Sequence, residues 1–406
     1  MGAPPSGGPE TFPAPPTSSA LDIPSLEDER SAYRRWGWTW DASAEPGAVT
    51  EPIKNYNVTN VDVHNDLEGD DMWTYLTMYR RTGNTVYLNR AQAWLRYFKN
   101  EYRNSSAFQY DEGFLYDHLF GWGLVSWYEH SCQTSTCDLA ALAEAENLAA
   151  VVESYWSKRS NNAWPIPGQF TMAYYSLRQG ARHLLLATRV AEATGKQRWM
   201  NLRDRLLDLW LQSPDWDSRG MYFHGDYETD RIFQDSGVQS SYAAGGRAVS
   251  SFQIGVLAEA FWHVYRVTGH LLLRDRLIAM AEFVDTYGLD PACQYTASAF
   301  GFVNGQLWHK YTCGGFWDPV YTTALVNTLV IGYKLTGDHH FYDRARYFFN
   351  RGTKGIYGSS TARETTDDRV GHFVDTTFAT STANFYLDYN KGELQYTYLI
   401  FENGGL

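Results

Sequence analysis

The chain has 406 residues, of which 44% are hydrophobic and 16% aromatic, and its formal net charge is −12. This length and apolar content suffice for a large core, and no stretch is apolar enough to predict a membrane span. The negative charge and the absence of a basic run argue against a nucleic-acid partner. An acidic polysaccharide is still compatible, because a few arginines in a cleft can outweigh the global charge locally. The aromatic residues fit either a large helical core or a surface on which sugar rings stack.

The first 25 residues are rich in proline, glycine and serine, which predicts a disordered tether over residues 1–25. The segment resembles the tether that follows a signal peptide or a lipoprotein cysteine in bacterial surface proteins. The resemblance implies a bacterial protein that is secreted, periplasmic or tethered to the outer surface. The rest of the chain, residues 26–406, is predicted to form a single domain.

A Thr-Gly pair recurs along this domain, at Gly83, Gly195, Gly269 and Gly337. Each pair follows a helical run rich in apolar residues and precedes a helix with apolar residues at positions i, i+3, i+4 and i+7. Glycine after the last helical residue is the expected left-handed stop that lets the chain reverse. Weaker copies at residues 121–156 and 376–401 bring the total to about six hairpins, and the segment "LEDERSAYRRW" could add a helix to a seventh.

Hairpin repeats build either an open solenoid or a closed ring. The spacing between successive Thr-Gly pairs is unequal here, which favours the ring. The first helix of each pair is apolar nearly all round, as an inner helix should be, and the second is amphipathic. These features predict an all-α (α/α)6 or (α/α)7 toroid with short β-hairpins in its rim loops. The insertions at residues 213–249 and 288–317 are expected on one rim.

The repeat, with its "TG-x3-[YWLF]" turn, resembles the (α/α) toroids of carbohydrate-active enzymes. The chain looks most like the single-domain toroidal lyases that act on uronate polysaccharides of the alginate and glucuronan type. The resemblance implies a substrate groove at the N-terminal ends of the inner helices and in the loops that lead into them. It also implies a polysaccharide substrate and, in this interpretation, a monomer that needs no cofactor.

Counting back from each Thr-Gly pair locates the starts of the inner helices and hence the candidate groove residues. In "NDLEGDDMW", helix capping explains some of the acids, and the others are expected to contact substrate. Asp70 and Asp71 lie deeper and could pair with Arg182 or Arg247. His183 fits either a core histidine or a groove residue. The predicted substrate-binding residues at these helix starts are Asp66, Glu68, Trp73, His118, Arg178, Arg182 and His372.

Two rim loops add candidate residues. The insertion before the fourth inner helix is long and polar, and a long loop in a compact domain is either functional or disordered. It contributes Glu228, Tyr242 and Arg247 as predicted catalytic residues. The later loop "LWHKYTCGGFWDPVY" contributes Trp317 and Tyr321 as predicted sugar-stacking or binding residues.

The four cysteines form two local pairs, Cys132 with Cys137 and Cys293 with Cys313. Neither pair has the spacing of a zinc site, so two loop-stapling disulfides in an oxidising compartment are predicted. Four unrelated reduced thiols are the alternative. A catalytic metal is not predicted, although rim carboxylates leave a structural calcium as an alternative.

The residue set fits β-elimination on a uronate polymer. Tyr242 and His183 are the predicted acid and base, while Arg178, Arg182 and Arg247 would neutralise the uronate carboxylate, with Glu228 beside them. The alternative is an inverting glycoside hydrolase, which would use Glu68 with Asp318 or Asp375. A sugar-binding protein without catalytic activity is a third hypothesis.

Overall fold

The computed structural model describes residues 72–83 in part, and residues 85–99, 117–160, 177–213, 216–223, 246–289, 299–303, 306–310 and 325–355. Some predictions concern residues outside these ranges, and for them the sequence remains the only evidence. They are the tether over residues 1–25 and the residues Asp66, Glu68, Asp70, Asp71, Glu228, Tyr242, Cys293, Cys313, Trp317, Asp318, Tyr321, His372 and Asp375.

Helical hairpins account for most of the described chain. Helix α1 (Thr85–Tyr97) follows Gly83, which itself follows the helical positions Met72, Trp73, Leu76, Tyr79 and Arg80. The next four hairpins pair α2 (Asp117–Thr134) with α3 (Leu139–Ser160), α4 (Leu177–Thr194) with α5 (Gln197–Leu211), α6 (Ser251–Thr268) with α7 (Leu271–Tyr287), and α8 (Val326–Thr336) with α9 (His339–Gly355).

The Thr-Gly turns have a clear local cause, seen well at the end of α6. Gly269 takes φ 63°, the left-handed conformation that favours glycine, and its N–H donates to the Tyr265 carbonyl at 2.7 Å. The Thr268 hydroxyl donates to the Val264 carbonyl at 2.7 Å and accepts from the His270 N–H at 3.3 Å. The threonine hydroxyl therefore satisfies one carbonyl near the end of α6 and one N–H of the segment that leads into α7. The predicted left-handed stop is confirmed at all four Thr-Gly pairs.

The inner and outer positions follow the predicted patterns. Helices α2, α4, α6 and α8 pack side by side in chain order, each with its outer partner against it. Residues 326–334 of α8 are all buried, whereas α5 buries one stripe that includes Trp199, Leu202, Leu206 and Trp210. An inner layer of all-round apolar helices wrapped by amphipathic ones is an α/α toroid, so the predicted fold class is confirmed.

Contacts between side chains near the C-terminal ends of the inner helices show that these helices run in the same direction. Arg189 of α4 donates to Glu129 of α2 at 2.7 Å. The Tyr79 ring lies 5.7 Å from the ring of His130 on α2. Arg266 of α6 interacts electrostatically with Glu192 of α4. The turns therefore lie at one end of the toroid, and the N-terminal ends of the inner helices lie together at the other.

A three-stranded antiparallel sheet lies at the head of α6. Strand β1 (Arg247–Ser250) pairs with β2 (Ala299–Val303), which pairs with β3 (Gln306–Lys310), in the order β1-β2-β3. Strand β1 runs directly into α6, and its register places Arg247 opposite Phe302. The predicted β-hairpin in a rim loop is therefore confirmed, and it lies at the N-terminal end of an inner helix.

A disulfide takes the place of the Thr-Gly turn in the second hairpin. Cys132 near the end of α2 is bonded to Cys137, with a Cα–Cα distance of 4.1 Å. Asp138 then caps α3, because its side chain accepts from the Ala141 N–H at 3.1 Å. The first of the two predicted disulfides is thus confirmed.

Candidate functional site

The N-terminal ends of the inner helices carry several of the predicted groove residues. Trp73, Arg182, His183 and Arg247 are described in full, whereas His118 and Arg178 are placed on α2 and α4 without a description of their side chains. The four described side chains fall into three settings: a histidine in a buried hydrogen bond, two arginines at helix heads, and a tryptophan inside an aromatic stack.

His183 lies in the second turn of α4 and is only 7% exposed. Its Nδ1 accepts a hydrogen bond from Trp156 Nε1 at 3.1 Å, which leaves the ring proton on Nε2. Burial lowers the pKa of His183 to about 3, so the ring is neutral at pH 7 and a weak base. These contacts favour the core-histidine interpretation, and catalysis by His183 stays a prediction.

Two arginines mark the heads of neighbouring inner helices. Arg182 lies in the second turn of α4 and is 7% exposed. Arg247 is half-buried at the start of β1, and its Nη1 donates to the Gly246 carbonyl at 3.0 Å. Helices α4 and α6 pack against each other, and β1 leads into α6. The fold therefore places both arginines at the same end of the toroid.

Trp73 is buried, with 4% of its surface exposed, and belongs to an aromatic stack between inner helices. It stacks on Trp122 of α2 with ring centroids 5.2 Å apart and an interplanar angle of 26°. Trp122 in turn meets His263 of α6 edge-on at 6.0 Å. One face of Trp73 is thus covered by another ring, so sugar stacking on Trp73 stays a prediction.

Trp122 and His263 were not among the predicted site residues, although with Trp73 they link three inner helices across the interior. His263 is 4% exposed, and burial, followed by the charges of Arg189 and Arg266, holds its pKa well below the usual value. The available signal was positional: both residues lie within inner helices at sites where an apolar side chain would otherwise be expected. Searching the inner helices for side chains that carry an N–H group would have identified both residues.

The head of α6 is held by its own polar groups. The Ser250 N–H donates to Gln253 Oε1 at 3.2 Å, which satisfies one backbone donor at the start of the helix. In the neighbouring inner helix, Asn327 of α8 is buried and its Nδ2 donates to the Gly255 carbonyl at 3.0 Å. The Asn327 bond fixes the axial position of α8 relative to α6 and hence the relative positions of the two helix heads.

Within the described ranges, no three His, Cys, Asp or Glu residues are grouped so that they could hold a metal ion. None of the helices in the same ranges combines the length and the hydropathy that crossing a membrane requires.

Neither a family model nor a curated protein sequence matches the chain. Solved structures do match. Glycosyl hydrolase family 88 from Bacteroides vulgatus is similar over 92% of this chain and 98% of its own, with 13% identity and a TM-score of 0.52. An unsaturated glucuronyl hydrolase specific for heparin matches over 83% of this chain and 86% of its own, with 12% identity and a TM-score of 0.52. Cellobiose 2-epimerase from Bacillus thermoamylovorans matches over 81% and 89%, with 16% identity and a TM-score of 0.50. At these identities the likeness establishes the shared α/α toroid fold.

Proposed function

We propose that the protein is a carbohydrate-processing enzyme whose substrate carries uronic-acid residues and binds at the N-terminal end of the inner ring. The observation that carries this proposal is the pair of guanidinium groups, Arg182 and Arg247, at the heads of the neighbouring helices α4 and α6. The similarity to a glucuronyl hydrolase and to other sugar enzymes supports the same substrate class.

The direction of the inner helices strengthens the argument for an anionic substrate. Each helix N-terminus carries the equivalent of about +0.5 elementary charge, and parallel inner helices point these ends at the same region. Arg182 and Arg247 contribute two guanidinium groups there, beside the acids of "NDLEGDD" that are predicted at the first of these helix starts. The net charge of −12 is a total for the whole chain, and a groove with arginines at its helix heads can differ locally from that total. A uronate carboxylate is the sugar substituent that this field would favour.

The proposed reaction is β-elimination. A base removes the proton from C5 of the uronate while the arginines neutralise its carboxylate, and the electron pair forms the C4–C5 double bond. The C4–O4 bond breaks, and an acid gives the departing O4 a proton. Tyr242 is the better candidate for these proton transfers, because it precedes Arg247 by five residues. His183 is buried and hydrogen-bonded to Trp156, which suits a positioning role.

Hydrolysis is the second candidate, and a specific observation favours it. Two of the similar solved structures are named as hydrolases, and each matches more than four-fifths of both chains. An inverting hydrolase needs an acid and a base roughly 6.5–9.5 Å apart, with a water molecule between them. Glu68 with Asp318 or Asp375 is the proposed pair.

One digestion experiment separates the two reactions. The protein is incubated with alginate, glucuronan and glycosaminoglycans, in polymeric and oligomeric form, while ultraviolet absorbance and reducing ends are followed together. Elimination raises both signals, because it creates a conjugated double bond, whereas hydrolysis raises reducing ends alone. Reducing ends without ultraviolet absorbance would replace the lyase by the hydrolase.

The residue assignment is tested by Tyr242→Phe, with Tyr347→Phe on the outer helix α9 as the matched control. We expect Tyr242→Phe to lower kcat by about 100-fold or more, since general acid–base catalysis contributes on that scale. Unchanged turnover in Tyr242→Phe would remove this residue from the mechanism.

A further inference from the structure

Trp156 is the residue of the outer layer that contacts the predicted groove histidine. It lies near the C-terminal end of α3, and α3 packs against α4. Because α3 runs back from the turn that ends α2, its C-terminal end lies toward the N-terminal ends of the inner helices, where His183 also lies. Trp156 is 3% exposed and His183 is 7% exposed, so the hydrogen bond between them is shielded from water.

The direction of this hydrogen bond fixes where the imidazole carries its proton. An indole nitrogen can only donate, because its lone pair belongs to the aromatic system. Trp156 Nε1 donates to His183 Nδ1 at 3.1 Å, so Nδ1 is the acceptor and the proton of the neutral ring is on Nε2. Protonation of Nδ1 would break this bond and set two N–H groups against each other. His183 is thereby arranged as a hydrogen-bond donor, and its one basic nitrogen is already occupied.

Contacts from two further side chains hold this pair in place. Arg205 of α5 donates from Nη2 to the Trp156 carbonyl at 2.9 Å, which ties α5 to α3. The Tyr155 ring meets the His183 ring edge-on, with the ring centroids 5.9 Å apart. Burial lowers the pKa of His183 to about 3, which agrees with a ring that stays neutral. The position and the tautomer of this imidazole are therefore determined by α3, α4 and α5 together.

A neutral donor suits the chemistry of the proposed reaction better than a base at this position would. Negative charge grows on the uronate carboxylate as the C5 proton leaves, and a donor that is already oriented stabilises this charge without reorganisation. The residue before His183 is the buried Arg182, so a second cation in the same turn of α4 would be unfavourable. A neutral N–H group contributes a donor there and adds no charge.

We propose that Trp156 is a positioning residue that holds His183 as a neutral hydrogen-bond donor, and that His183 gives its Nε2–H to the bound uronate and takes no proton from it. This inference rests on the proposed function, because it concerns the same groove and the same substrate. It leaves the proton transfers at C5 and O4 to other residues, with Tyr242 as the candidate. Trp156 itself touches no reacting atom and acts through the tautomer of His183.

The tautomer can be tested without any substrate. Long-range proton–nitrogen NMR on the full chain, with isotope-labelled histidine, distinguishes a protonated ring nitrogen from an unprotonated one, and His183→Gln identifies the signals of His183 by their loss. We expect an unprotonated Nδ1 and a protonated Nε2 in the wild type at pH 7. In Trp156→Phe, Nδ1 loses its donor, so the share of the Nδ1-protonated tautomer should rise. A protonated Nδ1 in the wild type, or an unchanged ring in Trp156→Phe, would overturn the proposal.

Trp199→Phe is the matched control for Trp156→Phe. Trp199 is also buried, with 2% of its surface exposed, and its Nε1 donates to Glu146 at 2.8 Å near the start of α5. This variant therefore loses an indole hydrogen bond of similar burial that does not involve His183. We expect it to leave the tautomer and kcat/KM as in the wild type. An equal change in both variants would show that Trp156 serves packing alone, and would overturn the proposal.

Kinetics on uronate oligosaccharides test the role of His183 as a donor. Trp156→Phe should lower kcat/KM by about 2- to 10-fold, the effect of one neutral hydrogen bond. His183→Gln should lower kcat/KM by no more than about 10-fold, because its amide replaces the donor, whereas loss of a general base costs about 10²–10⁴-fold. A loss of that larger size in His183→Gln would make His183 the base and overturn the proposal. If the wild type cleaves no uronate, the proposed function fails, and the NMR result decides separately whether Trp156 fixes the tautomer.

Discussion

The close approach between an inner and an outer helix makes Gly332→Ala a sharp test of the fold. Gly332 lies within α8, and a Cβ added there would lie 2.5 Å from the Cβ of Ala281 on α7 and 3.3 Å from the Phe341 ring. Carbon atoms prefer separations of about 3.5–4.0 Å. The Ala281 Cβ is attached directly to the backbone, so no change of rotamer relieves the contact, and the two helices must move apart.

Two opposing terms set the size of the effect. Alanine favours a helix interior over glycine by about 0.8–1.0 kcal/mol. Overpacking a tight core contact costs about 1–3 kcal/mol, and a contact with a fixed atom belongs at the upper end of that range. We therefore expect Gly332→Ala to lower the free energy of unfolding by about 2 kcal/mol, measured by chemical denaturation.

A double mutant identifies the partner atom. Adding Ala281→Gly to Gly332→Ala removes the opposing Cβ, so the two changes should couple by about 1–2 kcal/mol in the stabilising direction. Gly121→Ala is the matched control. Its Cβ would lie 2.6 Å from Leu186 Cδ1, which is the end of a rotatable side chain. Gly121→Ala should therefore lower the free energy of unfolding by less than Gly332→Ala does. Stabilisation by Gly332→Ala, with no coupling to Ala281→Gly, would refute this packing of α7 against α8.

Three further predictions concern the turns, the disulfide and His183. Gly269→Ala should lower the free energy of unfolding by about 1–2 kcal/mol, because φ is 63° and no atom lies within 4 Å to add a clash. Gly269→Asn should lower it by less, and thermal or chemical unfolding measures both. Removing the Cys132–Cys137 disulfide by a double serine substitution should lower stability by about 2 kcal/mol, the loop-closure term for so short a loop, and an unchanged Tm would contradict that role. His183 has a folded pKa of about 3 against an ordinary 6.5, so the unfolded chain binds its proton first as the pH falls. Its stabilising contribution is complete above about pH 6.5 and is lost towards pH 3, by at most about 5 kcal/mol, and His183→Gln should flatten that part of the stability profile.

The backbone of this fold could be predicted from the sequence because its signals are local. A Thr-Gly pair fixes a left-handed residue and a hydroxyl bond within one turn, as Gly269 and Thr268 show. The disulfide between Cys132 and Cys137 spans only five positions. The inner and outer roles followed from whether a helix is apolar all round or along one stripe.

The settings of individual side chains could not be predicted in the same way. The environment of an inner-helix residue depends on how the helix is rotated against its neighbours, and distant residues set that rotation. Trp156 of α3 decides the hydrogen bond of His183, and Trp122 of α2 covers a face of Trp73.

The central claim is that the groove recognises a uronate carboxylate through the arginines at the helix heads. It is tested most directly by comparing the dissociation constant of a uronate oligosaccharide with that of the same oligosaccharide after its carboxyl groups are reduced to alcohols. Binding is the appropriate measurement, because β-elimination itself requires the carboxyl group. We predict that reduction weakens binding by about 10²-fold or more, as expected when charge-assisted hydrogen bonds of about 1.5–3 kcal/mol each are removed from two arginines. Arg247→Gln should show a much smaller difference between the two ligands. Equal binding of the native and the reduced sugar by the wild type would contradict the claim.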